Sequence, residues 1–132
     1  DPPCPWDAST CTEIAGWGNL EMLKWAREQD PPCSWNEETS ADAASEGQLE
    51  VLKWARAQVP PIPWDETICY SAARRGQLEV LKWARAQIPP CPWNKQTWLE
   101  AFEQKHFEIC EWATDHGCPD GELLSVLYLS TH

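Results

Sequence analysis

The stretch GQLEVLKWARAQ at residues 47–58 decides the fold, because it recurs without a change at residues 76–87. A close copy, GNLEMLKWAREQ, occupies residues 18–29, and a more divergent copy, KHFEICEWATDH, occupies residues 105–116. Each copy begins 29 residues after the previous one. Self-similarity at a fixed period of this size is typical of proteins built from stacked repeats. The sequence therefore predicts a repeat array.

Tryptophan residues mark the boundaries of the repeated units. One tryptophan opens each unit, and another lies inside each copy of the quoted stretch. The two series are Trp6, Trp35, Trp64 and Trp93, and Trp25, Trp54, Trp83 and Trp112. The predicted units are 6–34, 35–63, 64–92 and 93–121, within a single array that spans residues 1–132.

The two ends of the chain are interpreted by aligning them with the 29-residue repeat. Residues 1–5, DPPCP, resemble residues 30–34, DPPCS, and are taken as the tail of a preceding unit, so we expect a piece of a longer array. Residues 122–132 are either a C-terminal capping helix or the first helix of a fifth unit. We favour the cap, because terminal units of repeat arrays commonly diverge. The residues expected to cover the end are Leu123, Leu124, Val126 and Leu127.

Each unit is predicted to contain two short helices. Asn36 is a favourable N-cap residue for the first helix, and Gly47 follows where a helix end favours positive φ. The second helix should end before Pro60, because proline cannot continue it. No alternating apolar pattern predicts a strand. Two helices of this length cannot bury their apolar faces alone, so neighbouring units must stack into an all-α solenoid.

Residues that do not vary between units are expected to form the stacking contacts. They are the leucines at 20, 49 and 78 and at 23, 52 and 81, the second tryptophan series, and the alanine pairs at 43–44 and 72–73. The charged residues of the second helix also repeat. These are Glu21, Glu50 and Glu79, Lys24, Lys53 and Lys82, and Arg27, Arg56 and Arg85. They predict a solvated, salt-bridged outer face.

These features carry a resemblance to a known family. The pattern Thr-x-x-x-Ala-Ala-x-x-Gly-x-Leu-Glu-Val-Leu at residues 39–52 resembles the helix–turn–helix core of the ankyrin repeat. The Trp-rich unit of 29 residues is similar to shortened ankyrin-like repeats of protist and large-DNA-virus proteins. The usual ankyrin repeat has about 33 residues. The resemblance therefore implies a helical solenoid in which shortened loops replace the β-hairpin fingers, and it implies a concave surface lined by the first helices.

Charge and composition restrict the partner. The 132 residues carry a formal net charge of −11, which disfavours nucleic acid and is compatible with a protein partner that has basic patches. No run of about 18 apolar residues predicts a membrane span. The odd set of seven cysteines is expected to be small buried residues in a reducing, intracellular compartment. Disulfide bonds between cysteines at different positions of the repeat remain an alternative. The cytoplasm is preferred, and an organelle entered after removal of a leader stays open.

No catalytic signature is present. The sequence has no Gly-rich phosphate loop and no nucleophile motif, so we expect a non-enzymatic protein without a cofactor. Cys110, His116 and Cys118 lie close in sequence, but no Cys-x-x-Cys pair accompanies them, so no metal site is predicted.

Residues that change from unit to unit point to the binding surface. They recur at i, i+4, i+7 and i+8 of the first helix and therefore fall on one of its faces. The candidate partner-binding residues on or near this face are Trp17, Glu13, Glu38, Asp42, Glu46, Tyr70, Ser71, Arg74, Arg75 and Glu100. Trp17 is the preferred aromatic anchor. The predicted function is a protein–protein interaction module, and the alternative is a rigid structural or stabilising accessory subunit of a larger assembly. A third possibility is that this face only contacts solvent and that its residues vary between units without binding anything.

Overall fold

The computed structural model describes residues 8–29 and 31–129, and these residues are all-helical with no strand. The helices are α1 (Ala8–Trp17), α2 (Leu20–Glu28), α3 (Glu37–Ser45), α4 (Leu49–Arg56), α5 (Thr67–Arg74), α6 (Leu78–Ala86), α7 (Lys95–Glu103), α8 (Phe107–Asp115) and α9 (Gly121–Leu124). A π-helical segment, Ser125–Leu129, continues directly from α9. The prediction of an all-α protein with two short helices in each unit is confirmed for the described residues.

The helices pack as pairs. Within the units, α1 contacts α2, α3 contacts α4, α5 contacts α6, and α7 contacts α8. Neighbouring pairs meet mainly through their first helices, because α1 packs on α3, α3 on α5, and α5 on α7. The second helices of neighbouring pairs contact each other much less. The first helices therefore form the more closely packed layer of the molecule.

Local sequence explains where the helices begin and end. Asn36 Oδ1 accepts hydrogen bonds from the backbone N–H groups of Glu38 (3.0 Å) and Thr39 (3.2 Å) at the start of α3. Asn94 caps α7 in the same way. Gly47 has a φ of +73°, which glycine adopts without strain, and Gly18 and Gly76 are equivalent. The predicted start signal at Asn36 and stop signal at Gly47 are confirmed here. Asp7, which holds the position of Asn36 in the first unit, lies outside the described residues.

The core follows the invariant positions only in part. The second leucine of each unit is fully buried at Leu23, Leu52 and Leu81, and so are the alanine pairs. The first leucine, at Leu20, Leu49 and Leu78, is half-buried, and so is the second tryptophan of units two to four. Trp25 is 53% exposed, so the prediction of an inward tryptophan is wrong for the first unit.

The six described cysteines are buried free thiols, as expected of small core residues, and Cys4 lies outside the described part. Burial raises the pKa of Cys110 to about 12 and that of Cys118 to about 11. A hydrogen bond with Cys69, together with burial, raises the pKa of Cys91. The thiols of Cys91, Cys110 and Cys118 therefore stay protonated near neutral pH and are poor nucleophiles.

The arginines of the second helices do not lie on a solvated outer face, and that prediction is wrong. The Arg56 guanidinium lies 4.1 Å from the ring centroid of Trp64, the first tryptophan of the next unit, and donates to the carbonyl of Ile62 (2.7 Å). Trp64 in turn meets Trp83 edge-on, with centroids 5.6 Å apart. Arg27 and Arg85 make the same two contacts at their own unit boundaries. A planar guanidinium can stack on an indole and donate to a carbonyl at the same time.

Two lysines of the series behave as predicted, whereas Lys24 is half-buried. Lys53 lies 3.5 Å from Glu50, Lys82 lies 3.9 Å from Glu79, and all four side chains are solvent-exposed. Such exposed pairs contribute little to stability. The outer face therefore consists of the glutamate and lysine series without the arginines.

The glutamine after the turn glycine of units two and three joins adjacent units. The Nε2 amide of Gln77 donates to the carbonyl of Ser45 at the end of α3 (3.2 Å), and Gln48 donates to Gly16 at the end of α1 (3.0 Å). In the fourth unit, His106 takes this place beside Gly76. The turn and the preceding unit are therefore held in a fixed register.

The C-terminal segment packs differently from the expectation. Leu124 is buried, but Leu123, Val126 and Leu127 are more than half exposed, so they do not cover the end as predicted. Tyr128 contacts the end instead, with its ring centroid 5.1 Å from that of Phe102 on α7. The segment contacts both α7 and α8.

The Arg–Trp contact predicts a large difference between two neighbouring cations. We expect Arg56→Ala to lower the free energy of unfolding by about 1–3 kcal/mol, because it removes a cation–π contact and a hydrogen bond. The control Lys53→Ala, on the same helix, should change it by less than about 0.5 kcal/mol. Urea denaturation followed by circular dichroism measures both values, and equal losses would contradict the assignment.

The turn of the fourth unit predicts a stabilising substitution. Lys105 stands where the other units have glycine, and its φ is +64°. Because a side chain costs about 1–2 kcal/mol in this region, Lys105→Gly should raise the free energy of unfolding by about 1 kcal/mol. Lys95→Gly, within α7, should lower it by up to about 1 kcal/mol, since glycine is unfavourable in a helix. A loss of stability in both variants would show that Lys105 is not strained.

Candidate functional site: the first-helix face

The variable residues gather on the exposed side of α1, α3, α5 and α7, here called the first-helix face. Seven candidates are exposed: Trp17, Glu13, Glu38, Asp42, Glu46, Arg74 and Arg75. Three are half-buried: Tyr70, Ser71 and Glu100. The indole of Trp17, at the end of α1, is 66% exposed, which is unusual for so large an apolar side chain. The face therefore combines one exposed aromatic residue with many charges.

Both arginines of this face are engaged in contacts between units. Arg75 lies 3.6 Å from Glu46 of the preceding unit, and Arg74 lies 3.2 Å from Glu100 of the following unit. Gln96 also donates to Glu100 (2.9 Å). Along the sequence, these positions are acidic in unit two, basic at Arg74 and Arg75, and acidic again in unit four. In the structure, each of the two guanidinium groups is paired with a carboxylate. Sequence reasoning missed these pairs because they join different units.

The Asp42 carboxylate of α3 lies close to Gly16 of α1. A Cβ atom added to Gly16 would lie 2.7 Å from Asp42 Oδ2, so the absence of a side chain there lets Asp42 approach α1. Burial raises the pKa of Asp42, and repulsion from Glu46 and Glu38 raises it further, while Arg75 acts in the opposite direction. Burial and the neighbouring carboxylates therefore disfavour the charged form of Asp42.

Two further features were not predicted as sites. Val59 and Ile88 occupy the same position in successive connectors and are 97% and 98% exposed. A mostly apolar groove of about 540 Å³ lies beside α1 and α2 and includes Ile14, Met22 and Trp25. The sequence did contain a signal for the exposed pair, since Val59 and Ile88 each stand directly before two prolines.

The described residues meet neither the requirements of a metal site nor those of a membrane-spanning helix. Across residues 8–29 and 31–129, no three His, Cys, Asp or Glu side chains are placed to hold a metal ion. Cys110 and Cys118 are buried, whereas His116 is exposed and stacks on Trp112. In the same ranges, no helix has the length and apolar character needed to cross a membrane.

Comparison of the chain with protein-family models, with curated proteins and with solved structures finds no match. Function is therefore inferred from the arrangement of the described residues themselves.

The environment of Asp42 predicts a pH-dependent gain in stability. Its pKa is raised above the ordinary 3.8, so its charge destabilises the fold at neutral pH. We expect Asp42→Asn to raise Tm at pH 7, on the order of 1 °C for so exposed a group. The gain should shrink as pH falls through the raised pKa and vanish below the ordinary one, where aspartate is also neutral in the unfolded chain.

The matched control is Glu37→Gln on the same helix. Glu37 lies in the first turn of α3, where a carboxylate interacts favourably with the helix dipole. Its removal should therefore give no gain in Tm. Equal gains in both variants, measured by differential scanning calorimetry across pH, would mean that overall net charge and not the local cluster is responsible.

Proposed function

We propose that this protein is a non-catalytic protein–protein interaction module, a solenoid of stacked ankyrin-like helix–turn–helix units that binds its partner through the first-helix face. One observation carries the proposal: the residues that differ between units lie together on one exposed face, while the repeated apolar residues make the contacts within and between units. A scaffold that keeps its packing residues and varies one surface is suited to recognition.

The packing of the helices supports a curved array. First helices of neighbouring units contact each other extensively, whereas second helices contact each other much less. Closer spacing on one side bends a stack toward that side. The first-helix face then lies on the inner, concave side, which is the surface that solenoid proteins use for binding.

The contacts between units support a preorganised surface. Each second-helix arginine stacks on the next unit's first tryptophan, and Gln48 and Gln77 each donate to the unit before. A face held by such contacts loses little conformational freedom when a partner binds, which reduces the free-energy cost of association.

The second candidate function is a rigid accessory subunit of a larger protein assembly. The near-complete exposure of Val59 and Ile88 favours it, because two aliphatic side chains on adjacent connectors would gain from burial against a neighbouring subunit. In this case the connectors, and not the first helices, would contact the assembly.

Site-specific photo-cross-linking distinguishes the two functions. A photoreactive phenylalanine analogue would replace one residue at a time in the full-length protein, expressed in its native cells. The sites are Trp17 and Arg75 on the first-helix face, Glu50 and Glu79 on the outer face, and Val59 and Ile88 on the connectors.

We expect adducts at Trp17 or Arg75 and none at Glu50 or Glu79, since only the first-helix face contacts the partner. Mass spectrometry of the adducts identifies the partner. Adducts confined to Val59 and Ile88 would instead support the accessory subunit. Adducts at the outer-face sites, or at no site, would contradict the proposed function.

A further inference from the structure

Some charged residues of the first-helix face form ion pairs and others do not. Arg74 and Arg75 are paired with Glu100 and Glu46. Glu13, Glu38 and Asp42 have no ion-pair partner among the described residues. The charges left available to a partner in the first two units are therefore carboxylates.

Carboxylates of the first two units lie on the same face as the exposed indole of Trp17. Glu13 lies one helical turn before Trp17 on α1, and residues four apart on a helix are neighbours. A Cβ atom at Gly16, adjacent to Trp17 in the chain, would lie 2.7 Å from Asp42 Oδ2 and 4.0 Å from Glu46 Cγ. The acidic–aromatic patch is defined as Glu13, Trp17, Glu38, Asp42 and Glu46.

This combination selects the chemistry of the partner. An exposed indole face attracts lysine or arginine side chains through its π electrons, and carboxylates on the same face offer acceptors for their N–H groups. An anionic partner would be repelled by the carboxylates. The net charge of −11 on the whole chain adds long-range attraction for a cationic partner.

Resting on the function proposed above, we propose that the acidic–aromatic patch binds a lysine- and arginine-rich segment of the partner protein. Cationic side chains stack on Trp17 and pair with Glu13, Glu38 and Asp42. The exposed contact between Arg75 and Glu46 is long enough at 3.6 Å for a partner's cation to compete for Glu46.

Fluorescence anisotropy with a labelled peptide of alternating Lys-Arg and Gly-Ser pairs tests the proposal, and the same peptide with glutamate in place of each basic residue is the negative probe. We expect the basic peptide to bind and the acidic one not to bind. Affinity should fall as salt rises, because screening weakens interactions between exposed charges.

Two variants separate the patch from the overall charge. Glu13→Gln/Glu38→Gln/Asp42→Asn should weaken binding of the basic peptide by about tenfold or more. Glu21→Gln/Glu108→Gln/Glu111→Gln removes the same charge from the exposed second-helix side and should change affinity by less than about twofold. Trp17→Ala should weaken binding by about tenfold without altering the salt dependence. Circular dichroism verifies that each variant is folded.

Equal weakening by the two triple variants would overturn the proposal, since it would show attraction by net charge alone. No binding of the basic peptide, with photo-cross-links still formed at Trp17, would refute the partner chemistry and leave the first-helix face as the interface. Peptide binding that depends on the patch, with cross-links confined to Val59 and Ile88, would support the cation-binding patch and refute the proposed function.

Discussion

The stacking of an arginine on the tryptophan of the next unit is the contact on which the arrangement of the helix pairs depends. Arg27, Arg56 and Arg85 each join a second helix to the following tryptophan and to the carbonyl of the connector between them. One side chain therefore orients the helix, the connector and the next unit together. The Pro-rich connectors place a carbonyl within reach of each guanidinium, so every boundary is built alike.

The all-helical fold and much of its detail were predictable from the sequence, because the signals are local and repeated. Asn36 and Gly47 mark helix ends through their own side-chain or backbone chemistry, and both predictions are confirmed. The arginine assignment was wrong because helical periodicity places Arg56 on the outer side of α4 but says nothing about a ring supplied by the next unit. The contact depends on the path of the connector, which helical spacing does not determine.

The first-helix face shows the same division. Variation between units located the exposed positions correctly for residues such as Trp17 and Asp42. It could not indicate that Arg74 and Arg75 each pair with a carboxylate of a different unit, or that Gly16 admits Asp42 against α1. These contacts depend on the distance between neighbouring helices. Along the sequence, this surface is acidic in unit two, basic in unit three and acidic in unit four. Because both arginines are paired, the folded surface exposes mainly carboxylates and one indole.

The connectors also constrain how such a chain can change in length. A residue inserted between Arg56 and Trp64 would separate the guanidinium from its ring or its carbonyl, and the same holds at every boundary. A change of one whole unit leaves each of these relations intact. The stretches 47–58 and 76–87 are moreover identical in amino-acid sequence, so the DNA segments that encode them are expected to be similar enough for unequal exchange. Growth and shrinkage of the array are therefore expected in steps of 29 residues, each step adding or removing one segment of the first-helix face.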